Sequence, residues 1–466
     1  MTEQLSGMDA AFLALETPEM PMHVVGVLVL DPSGGADYSA ERLRQTISER
    51  LHLMPPFCRR LVTTPLSLDK PYWHYDTSVD LTEHVFTETL PSADLRALGD
   101  LVGDITTTLL DRDKPLWQLH IVDGLPDGQV GLIAKVHHST LYGAAGAEFI
   151  AELLDLSPEH AGPARPAPSV GEAPDPPGAV DVARRTALAQ LRRPLAIGRL
   201  VLSGGRNAVG TVRALGGVVN RYGRSALPAP APRTVISGPL TDRRTAAFTA
   251  ISLEDAKAVK DAAGVKLNDV VLAVVALAVR RYLEHRGAVP AKSVVCGVPV
   301  NAGEGETSGT NTLATMLVSL PMDEDDGAAL LTEVHQATVA AKEFTAAVGP
   351  TAIAGLAEVT PPAALSFVTW LTRTLGLTTM QPTLANFIVS NVQGPPIPLY
   401  LAGALVDAIF PLGPLLPGAG MNITVLSNLD RLDVGIMACP DLVDDVWEIA
   451  EAMPDCLAEL TKALVR

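Results

Sequence analysis

The 466-residue sequence is poor in cysteine and lacks any long uninterrupted apolar run. Its four cysteines are scattered and form no CxxC pair, which argues against a disulfide framework and against a zinc ribbon. The longest apolar run covers ten residues, 270–279, about half of the roughly 20 that a membrane-spanning helix needs. The scattered cysteines therefore predict that the protein resides in a reducing compartment such as the cytosol. They are Cys58, Cys296, Cys439 and Cys456.

The N-terminal segment is not expected to act as an export signal. Glu3, Asp9 and Glu16 stand where a signal peptide needs a basic segment followed by an apolar one. Together with the absence of a spanning segment, this predicts a cytoplasmic protein, either soluble or attached peripherally to the inner membrane or to lipid droplets.

Positive charge is also in deficit. The chain has 35 Lys and Arg against 52 Asp and Glu, so its formal net charge is −17. A molecule of this charge is repelled by nucleic acid, and no nucleic-acid partner is expected. Hydrophobic residues make up 47% and charged residues 19% of the chain, a composition that favours buried cores over disorder.

Composition divides the chain into three parts. Pro/Ala-rich stretches begin at 161 and end at 233, and they predict an N-terminal lobe at 1–160, a linker at 161–234 and a C-terminal lobe at 235–466. Between the two stretches an arginine recurs at every seventh residue, which on a helix forms one basic stripe. Proline and glycine within this segment predict that it is broken into shorter helices. The arginines are Arg185, Arg192, Arg199, Arg206 and Arg213, and the breaking residues are Pro194, Gly204 and Gly205.

The basic segment has two interpretations. It is either a solvated linker helix that packs through its leucines, or an interfacial anchor, spanning 181–222, that places arginines at the headgroups of a membrane or lipid droplet.

Both flanking lobes show mixed α and β patterns. Strand-like runs outnumber the crossovers of a βαβ fold, so the sequence predicts an α/β fold (α+β in character) with mixed sheets rather than a doubly wound parallel sheet. The strand-like runs are 23–32, 117–125, 129–139, 293–300, 311–321, 384–394, 421–429 and 431–440.

The residues best suited to chemistry are His137 and His138, which follow an apolar strand and precede small residues. A neutral imidazole can take a proton from a hydroxyl group at physiological pH. Adjacent side chains of a strand point to opposite faces, so one of the two histidines is expected to be structural. No HExxH motif or Cys/His cluster completes a metal site, and neither a phosphate-binding P-loop nor a GxSxG elbow occurs.

Five blocks stand in order along the chain: LSGMDAAFLALETPEMPMHVVGVLVLDP at the start, PLWQLHIVDGL at 115–125, VHHSTLYG at 136–143, LNDVVLAVVALAVRRYL and NFIVSNVQGPPIPLYLAG. Together they resemble the bacterial wax ester synthase/acyl-CoA:diacylglycerol acyltransferase family over essentially the whole chain. VHHSTLYG stands where that family has its HHxxxDG motif. The family is similar to chloramphenicol acetyltransferase and to condensation domains, which implies two similar lobes around a central tunnel, joined here by the Pro/Arg-rich helical linker.

The resemblance implies acyl transfer from acyl-CoA, as co-substrate, to a lipid alcohol such as diacylglycerol or a fatty alcohol. His138 would be the general base, His137 its supporting neighbour, and Asn268 a group that polarises the reacting carbonyl. No metal, no cofactor and no covalent intermediate are expected, because the thioester is already activated. The same blocks place four further residues along the substrate tunnel: Trp117, Asp269, Ser390 and Asn391.

Two positions depart from the family pattern. Tyr142 stands where the motif has Asp, although Gly143 is kept, and Gly303 stands where an arginine partner of that Asp is expected. Losing both partners of a buried ion pair can be nearly neutral, whereas losing one strands a charge at a cost of about 3–5 kcal/mol. Two alternatives therefore stay open: an impaired relative that binds lipids or a partner protein, and an enzyme that acylates a different lipid or polyketide alcohol.

Overall fold

The computed structural model describes residues 2–34, 38–75, 79–140, 152–159, 177–222, 230–301, 313–324, 326–349, 351–376 and 383–465. Within these ranges the strands are β1 Thr2–Gln4, β2 His23–Asp31, β3 Arg59–Val62, β4 Tyr72–Tyr75, β5 Val85–Thr89, β6 Trp117–Asp123, β7 Val130–His137, β8 Thr245–Ser252, β9 Val294–Asn301, β10 Leu313–Leu320, β11 Phe387–Val392, β12 Tyr400–Leu401, β13 Ala404–Leu412, β14 Met421–Asn428 and β15 Arg431–Ala438. The helices are α1 Gly7–Leu15, α2 Ala40–Arg50, α3 Leu95–Thr107, α4 Ala179–Tyr222, α5 Leu253–Ala263, α6 Leu267–His285, α7 Gly327–Val348, α8 Thr351–Val359, α9 Pro362–Thr374 and α10 Val446–Leu464.

Two six-stranded sheets form the cores of the two lobes. The N-terminal sheet has the order β12-β13-β2-β7-β6-β5, and the C-terminal sheet has the order β10-β9-β11-β14-β15-β8. In the first sheet β5 and β6 are parallel, and in the second β11 is parallel to both β9 and β14. The other neighbours are antiparallel. The predicted α/β fold with mixed sheets is confirmed, and β1, β4 and β3 form a small third sheet.

Local sequence accounts for the elements that carry the core. Every residue of β7 is buried, as expected of a central strand that is covered on both faces. Helix α5 ends at Gly264, the stop that the sequence predicts, whose φ of +68° suits a residue without a side chain. Helix α6 is buried along most of its length, packed between α7 and α10.

Each lobe contains or contacts segments from the other part of the sequence. Strands β12 and β13 come from the C-terminal third of the sequence, yet β13 pairs with β2 in the N-terminal sheet, from Leu405 opposite Asp31 to Leu412 opposite Val25. Helix α3 of the N-terminal lobe in turn packs on β8. The lobe boundaries given above remain a prediction, but in space residues 400–412 belong to the N-terminal sheet.

The prediction that the basic segment is broken at Pro194 and at Gly204–Gly205 is wrong. Residues Ala179–Tyr222 form one helix of 44 residues with Pro194 inside it. A proline in a helix interior costs about 3 kcal/mol, so tertiary contacts have to offset it. Gln190 and Arg193, on the turn before the proline, both donate to the carbonyl of Leu68, and further along α4 packs against α7 and α8.

None of the helices in the described ranges has, on its own, the length and apolar composition to cross a membrane. One pair, α5 with α6, reaches both only when taken together, and it is bent by 107°. All four cysteines are free and buried.

Candidate active site

The histidine pair lies at the end of β7, between β2 and β6. His137 is opposite His23 of β2 in the register of the sheet. Its backbone N–H donates to the carbonyl of Leu116 at 3.0 Å, and the next N–H, that of His138, donates to the carbonyl of Met22 at 2.7 Å. Backbone hydrogen bonds on both sides thus hold the point at which the strand ends.

The His137 imidazole is fully enclosed. Its Nδ1 atom accepts a hydrogen bond from the backbone N–H of Ser139 at 3.1 Å and lies 2.7 Å from the Ser139 hydroxyl. Its Nε2 atom lies 3.3 Å from Oε1 of Glu16. His137 therefore has polar neighbours at both ring nitrogens, as expected for the structural member of the pair.

The His138 ring has different surroundings. It packs against Phe12 of α1, with 4.3 Å between the ring centroids. Its Nδ1 atom is buried, and within the described part of the chain no other residue hydrogen bonds to it. Burial lowers the pKa of His138 to about 4, a smaller contribution of the same sign comes from His137, and a contact with its own backbone opposes them. The ring is consequently neutral at physiological pH.

A buried carboxylate, Glu16, approaches two imidazoles. Oε1 lies 3.3 Å from Nε2 of His137 and 3.6 Å from Nε2 of His23, and Oε2 lies 3.0 Å from the Arg112 guanidinium. Burial alone would raise the pKa of Glu16, but its contacts with His137, His23 and Arg112 outweigh burial and lower it to about 2. Glu16 is thus an ionised group in the interior.

Two further titratable residues of this region are buried and perturbed. Burial, and then the charge of Lys135, lower the pKa of His23 to about 3, so its ring is neutral. Burial lowers the pKa of Lys135 to about 8. The Lys135 ammonium donates to the carbonyls of Ile105 and Thr108, which ties β7 to α3.

Asn268 and Asp269 lie in the first turn of α6, in the C-terminal lobe. Asn268 is half-buried, and no side-chain hydrogen bond of Asn268 is found in the described part of the chain. Asp269 is buried; its Oδ2 accepts from the backbone N–H of Lys266 at 3.0 Å and lies 2.7 Å from Nδ1 of His335. Asp269 therefore closes the start of α6 and joins it to α7, which is a structural role.

The other residues expected along the tunnel differ in their surroundings. Trp117 is buried in the N-terminal core, where its indole N–H donates to the carbonyl of Phe57 and its ring stacks on His84. It is paired with Val136, and so lies on the face of the sheet opposite His137. On β11 Ser390 is half-buried and Asn391 is exposed. In the described part of the chain, no hydrogen bond, ion pair or ring contact joins any of these three side chains to either histidine of the pair.

Tyr142, Gly143 and Gly303 lie outside the described residues.

Three contributors to the site were missed in the sequence. In the sequence Glu16 stands out only as a charge that argues against a signal peptide, His23 only as the first residue of the strand-like run 23–32, and Phe12 only as part of the first family-like block. One signal could have found them. If the strand that begins at His23 pairs antiparallel with the strand that ends at His137, the two histidines lie opposite each other, and the residues just before His23 lie beside the histidine pair.

A cleft of about 800 Å³ lies elsewhere, between α3, β8 and the start of α10. Its lining includes Arg96, Arg243 and Arg244 together with several aspartates, and neither histidine of the pair. The central tunnel therefore stays a prediction. In the described ranges, no group of three or more His, Cys, Asp or Glu side chains has the arrangement of a metal site.

Comparison with known proteins gives two family matches. The model for the wax ester synthase/diacylglycerol acyltransferase catalytic domain matches residues 5–271, and the model for the C-terminal domain of the same family matches residues 309–461.

Individual relatives match over nearly the full length. A Mycobacterium tuberculosis protein named as a diacylglycerol O-acyltransferase is 34% identical over 465 residues, which cover 98% of this chain and 90% of the relative. A second one is 32% identical and covers 99% of this chain and all of the relative.

Solved structures agree on the fold. The wax ester synthase/diacylglycerol acyltransferase from Marinobacter aquaeolei VT8 is 27% identical, with a TM-score of 0.69, and the match covers 98% of both chains. The first condensation domain of the calcium-dependent antibiotic synthetase is 17% identical, with a TM-score of 0.57, and covers 100% of this chain and 98% of that one.

Proposed function

Because the chain belongs to the wax ester synthase/diacylglycerol acyltransferase family, we propose that it moves a long-chain acyl group from a CoA thioester to the hydroxyl of a diacylglycerol or a fatty alcohol. The membership confirms the resemblance read from the sequence and the O-acyltransferase class. The names of the relatives support diacylglycerol as an acceptor, and the name of the Marinobacter enzyme supports wax ester synthesis as well.

The observation that carries the proposed mechanism is a neutral imidazole at the end of β7. With Nδ1 of His138 buried against protein, Nε2 is the atom left to act as a base. Nε2 takes the proton of the alcohol while the alcohol oxygen attacks the thioester carbonyl. The carbon–sulfur bond then breaks, and the protonated ring returns the proton to the departing CoA sulfur, so the ester and free CoA are the products.

The rest of the chemistry follows from positioning. Ser139 and Glu16 hold His137, and His137 fixes the backbone from which His138 projects. Asn268 is proposed to polarise the thioester carbonyl from the start of α6. A metal or another cofactor has no step in this mechanism, because the thioester is already activated and the base is neutral.

The test is release of CoA thiol from palmitoyl-CoA in the presence of dioleoylglycerol or hexadecanol. General-base catalysis contributes about 10²–10⁴-fold, so His138→Ala should lose at least about a hundredfold of the wild-type rate. His285→Ala, at an exposed histidine paired with Glu448, is the matched control and should keep the wild-type rate. Equal background release by wild type and His138→Ala would contradict the proposal.

The alternative of a binding protein without turnover is favoured by one observation, the tyrosine at 142. Should the wild type show only background release, the double variant Tyr142→Asp with Gly303→Arg is the informative one. Restored release in the double variant, but in neither single variant, would identify the chain as an impaired acyltransferase.

The surface of α4 supports a location at an anionic lipid surface. The helix carries eight arginines and one acidic residue. Leu191 is 76% and Leu195 65% exposed, and between them Arg192 is exposed too. Beside this stretch, Leu66 on the turn Pro65–Ser67 is 84% exposed. Exposed leucines interleaved with arginines are the pattern of a helix that lies in the headgroup region.

Flotation with liposomes tests this location. The full chain should float with vesicles that contain phosphatidylglycerol and much less with pure phosphatidylcholine, and Arg192→Gln with Arg199→Gln should reduce flotation severalfold. Arg96→Gln with Arg243→Gln, two exposed arginines outside α4, is the control. Flotation that is unchanged by the α4 double variant would contradict the proposed role of the helix.

A further inference from the structure

We propose that Glu16 is the positioning residue of the active site: its carboxylate fixes the orientation of His137 and the backbone that carries His138, an inference that rests on the proposed function of His138. Glu16 ends α1, where its backbone N–H donates to the carbonyl of Phe12 at 3.2 Å. Its side chain is 2% exposed. The following steps connect this carboxylate to the reacting ring.

The first connection is through the His137 ring. Because Nδ1 accepts a hydrogen bond from the backbone N–H of Ser139, it carries no proton. Nε2 is therefore the protonated nitrogen, and it lies 3.3 Å from Oε1 of Glu16. At 3.3 Å this is a close electrostatic contact and not a formed hydrogen bond; a carboxylate at that distance favours the Nε2–H tautomer and the ring orientation that faces it.

The second connection is through the backbone. The N–H of Met22 donates to Oε1 of Glu16 at 3.3 Å, and the carbonyl of the same residue accepts the N–H of His138 at 2.7 Å. Oε1 of Glu16 thus contacts the imidazole of His137 and also accepts from Met22, the residue whose carbonyl binds the backbone N–H of His138. Displacement of this oxygen would move both histidines.

The third connection is through α1. Phe12, one helical turn before Glu16, packs against the His138 ring. Arg112 contacts Oε2 of Glu16 at 3.0 Å and the carbonyl of Leu13 at 2.7 Å, so the end of this helix is fixed to the carboxylate on its outer side. All three supports of the reacting ring converge on the end of α1.

Glu16 lies at the end of α1, whereas the histidine pair lies at the end of β7. The sequence has no Asp or Glu between His138 and residue 147, since tyrosine stands at 142. Glu16 supplies a negative charge next to the histidine pair, 3.3 Å from Nε2 of His137, and its low pKa keeps it ionised at neutral pH.

The central variant is Glu16→Gln, which keeps the size of the side chain and removes its charge. We expect kcat to fall by about 10–100-fold, the usual cost of losing a partner that orients a functional group. KM for palmitoyl-CoA should stay within about twofold, because Glu16 orients the base and does not contact the substrate. Glu16→Asp, which restores the charge on a shorter stem, should recover part of the lost kcat.

Glu19→Gln is the matched control. Glu19 lies in the same loop and pairs with Arg373 of α9, not with the histidines. The control should keep kcat within about twofold of wild type. A kcat for Glu16→Gln equal to that of Glu19→Gln, or a Glu16→Asp variant no better than Glu16→Gln, overturns the proposal.

Nitrogen-15 NMR of the histidine rings separates positioning from mere stability. The wild type should show His137 as the Nε2–H tautomer, and Glu16→Gln should show a mixture of tautomers. A proton on Nδ1 of His137 in the wild type overturns the proposal even if no variant folds. This readout is also independent of turnover: loss of the proposed function appears as equal release by wild type and His138→Ala, and failure of the Glu16 proposal as an unchanged tautomer.

Discussion

The two six-stranded sheets use their buried polar residues in different ways. In the N-terminal sheet, charged or titratable groups are buried at the strand ends, among them Lys135, His23 and His137. In the C-terminal sheet the comparable residues join backbone segments. Asn386 accepts from the N–H of Val295 and donates to the carbonyl of Pro232.

Asp433 of β15 is a second buried polar residue of the C-terminal sheet that joins backbone segments. Its carboxylate accepts from the N–H of Ile409, in β13, and from the Asn428 amide, while burial raises its pKa. Its hydrogen bonds hold the two sheets together. The N-terminal sheet thus buries His23 and His137 at the strand end that carries the reacting ring, whereas the buried Asn386 and Asp433 of the C-terminal lobe join segments of backbone.

The largest expected effect on stability breaks a buried ion pair at the edge of the N-terminal sheet. Arg50 contacts Oδ1 of Asp155 at 2.5 Å, and the two side chains are 4% and 8% exposed. Asp155→Ala leaves the guanidinium buried without this carboxylate and should lower the free energy of unfolding by about 3–5 kcal/mol in urea titrations. Glu451→Ala, which breaks the exposed pair with Arg96, should cost at most about 1 kcal/mol. Equal costs for the two variants would remove the distinction.

The next effect concerns the contact between the lobes. A Cβ added to Gly103 of α3 would lie 2.3 Å from the carbonyl oxygen of Arg244, so Gly103→Ala pushes α3 away from β8. Overpacking of this kind costs about 1–3 kcal/mol. The matched variant is Gly198→Ala on α4, where nothing lies within 4 Å, and it should instead stabilise by about 0.5–1 kcal/mol. Thermal unfolding measures both, and a Gly103→Ala protein as stable as wild type would contradict the close approach.

An effect of similar size tests the assembly role of the C-terminal sheet. Asn386→Ala leaves the buried N–H of Val295 without its acceptor and should cost about 1–3 kcal/mol. The rate of thiol release per folded molecule should not change, because Asn386 has no contact with the histidine pair. Asn391→Ala, at an exposed position of β11, the strand that follows Asn386, should cost less than about 0.5 kcal/mol. A reduced rate at full stability in Asn386→Ala would show that the C-terminal sheet also tunes the reaction.

The smallest expected effect is that of pH on kcat/KM, because the His138 ring is already neutral near pH 7. The pKa of His138 is about 4 in the folded protein against 6.5 for a free imidazole. The base is unprotonated above its folded pKa, so kcat/KM should be nearly flat from pH 8 to about 5 and fall only below that. The unfolded chain binds this proton more readily, so stability also decreases as the pH falls from 6.5 towards 4. Tryptophan fluorescence monitors folding, and half-maximal activity near pH 6.5 would contradict the buried environment.

Much of the strand and helix pattern could be predicted from the sequence, because period-two and period-3.6 apolar patterns mark elements that are covered by core. The short apolar run within 23–32 gives β2, and the apolar run 270–279 lies within α6. The region 327–374 was not assigned, although it forms α7, α8 and α9, because its short apolar side chains, mixed with threonine, give a weak pattern.

The candidate site was predicted only in part. A histidine pair at a strand end is a local signal, and it identified His137 and His138. The contact between Glu16 and His137 joins residues 121 positions apart, and it depends on how β2 pairs with β7, which no local pattern states. The continuity of α4 through Pro194 was missed for the same reason, since the contacts to Leu68 that support it are tertiary.

The exchange of β12 and β13 has a consequence for biosynthesis. Until the ribosome has made residue 412, the apolar strand β2 is an open edge without its neighbour β13. During synthesis the N-terminal sheet therefore cannot be completed until most of the polypeptide has been made. Until then its open edge can associate with other nascent chains or with chaperones. An isolated N-terminal fragment would carry that unpaired edge permanently, so the halves of this enzyme cannot be expected to fold as separately expressed pieces.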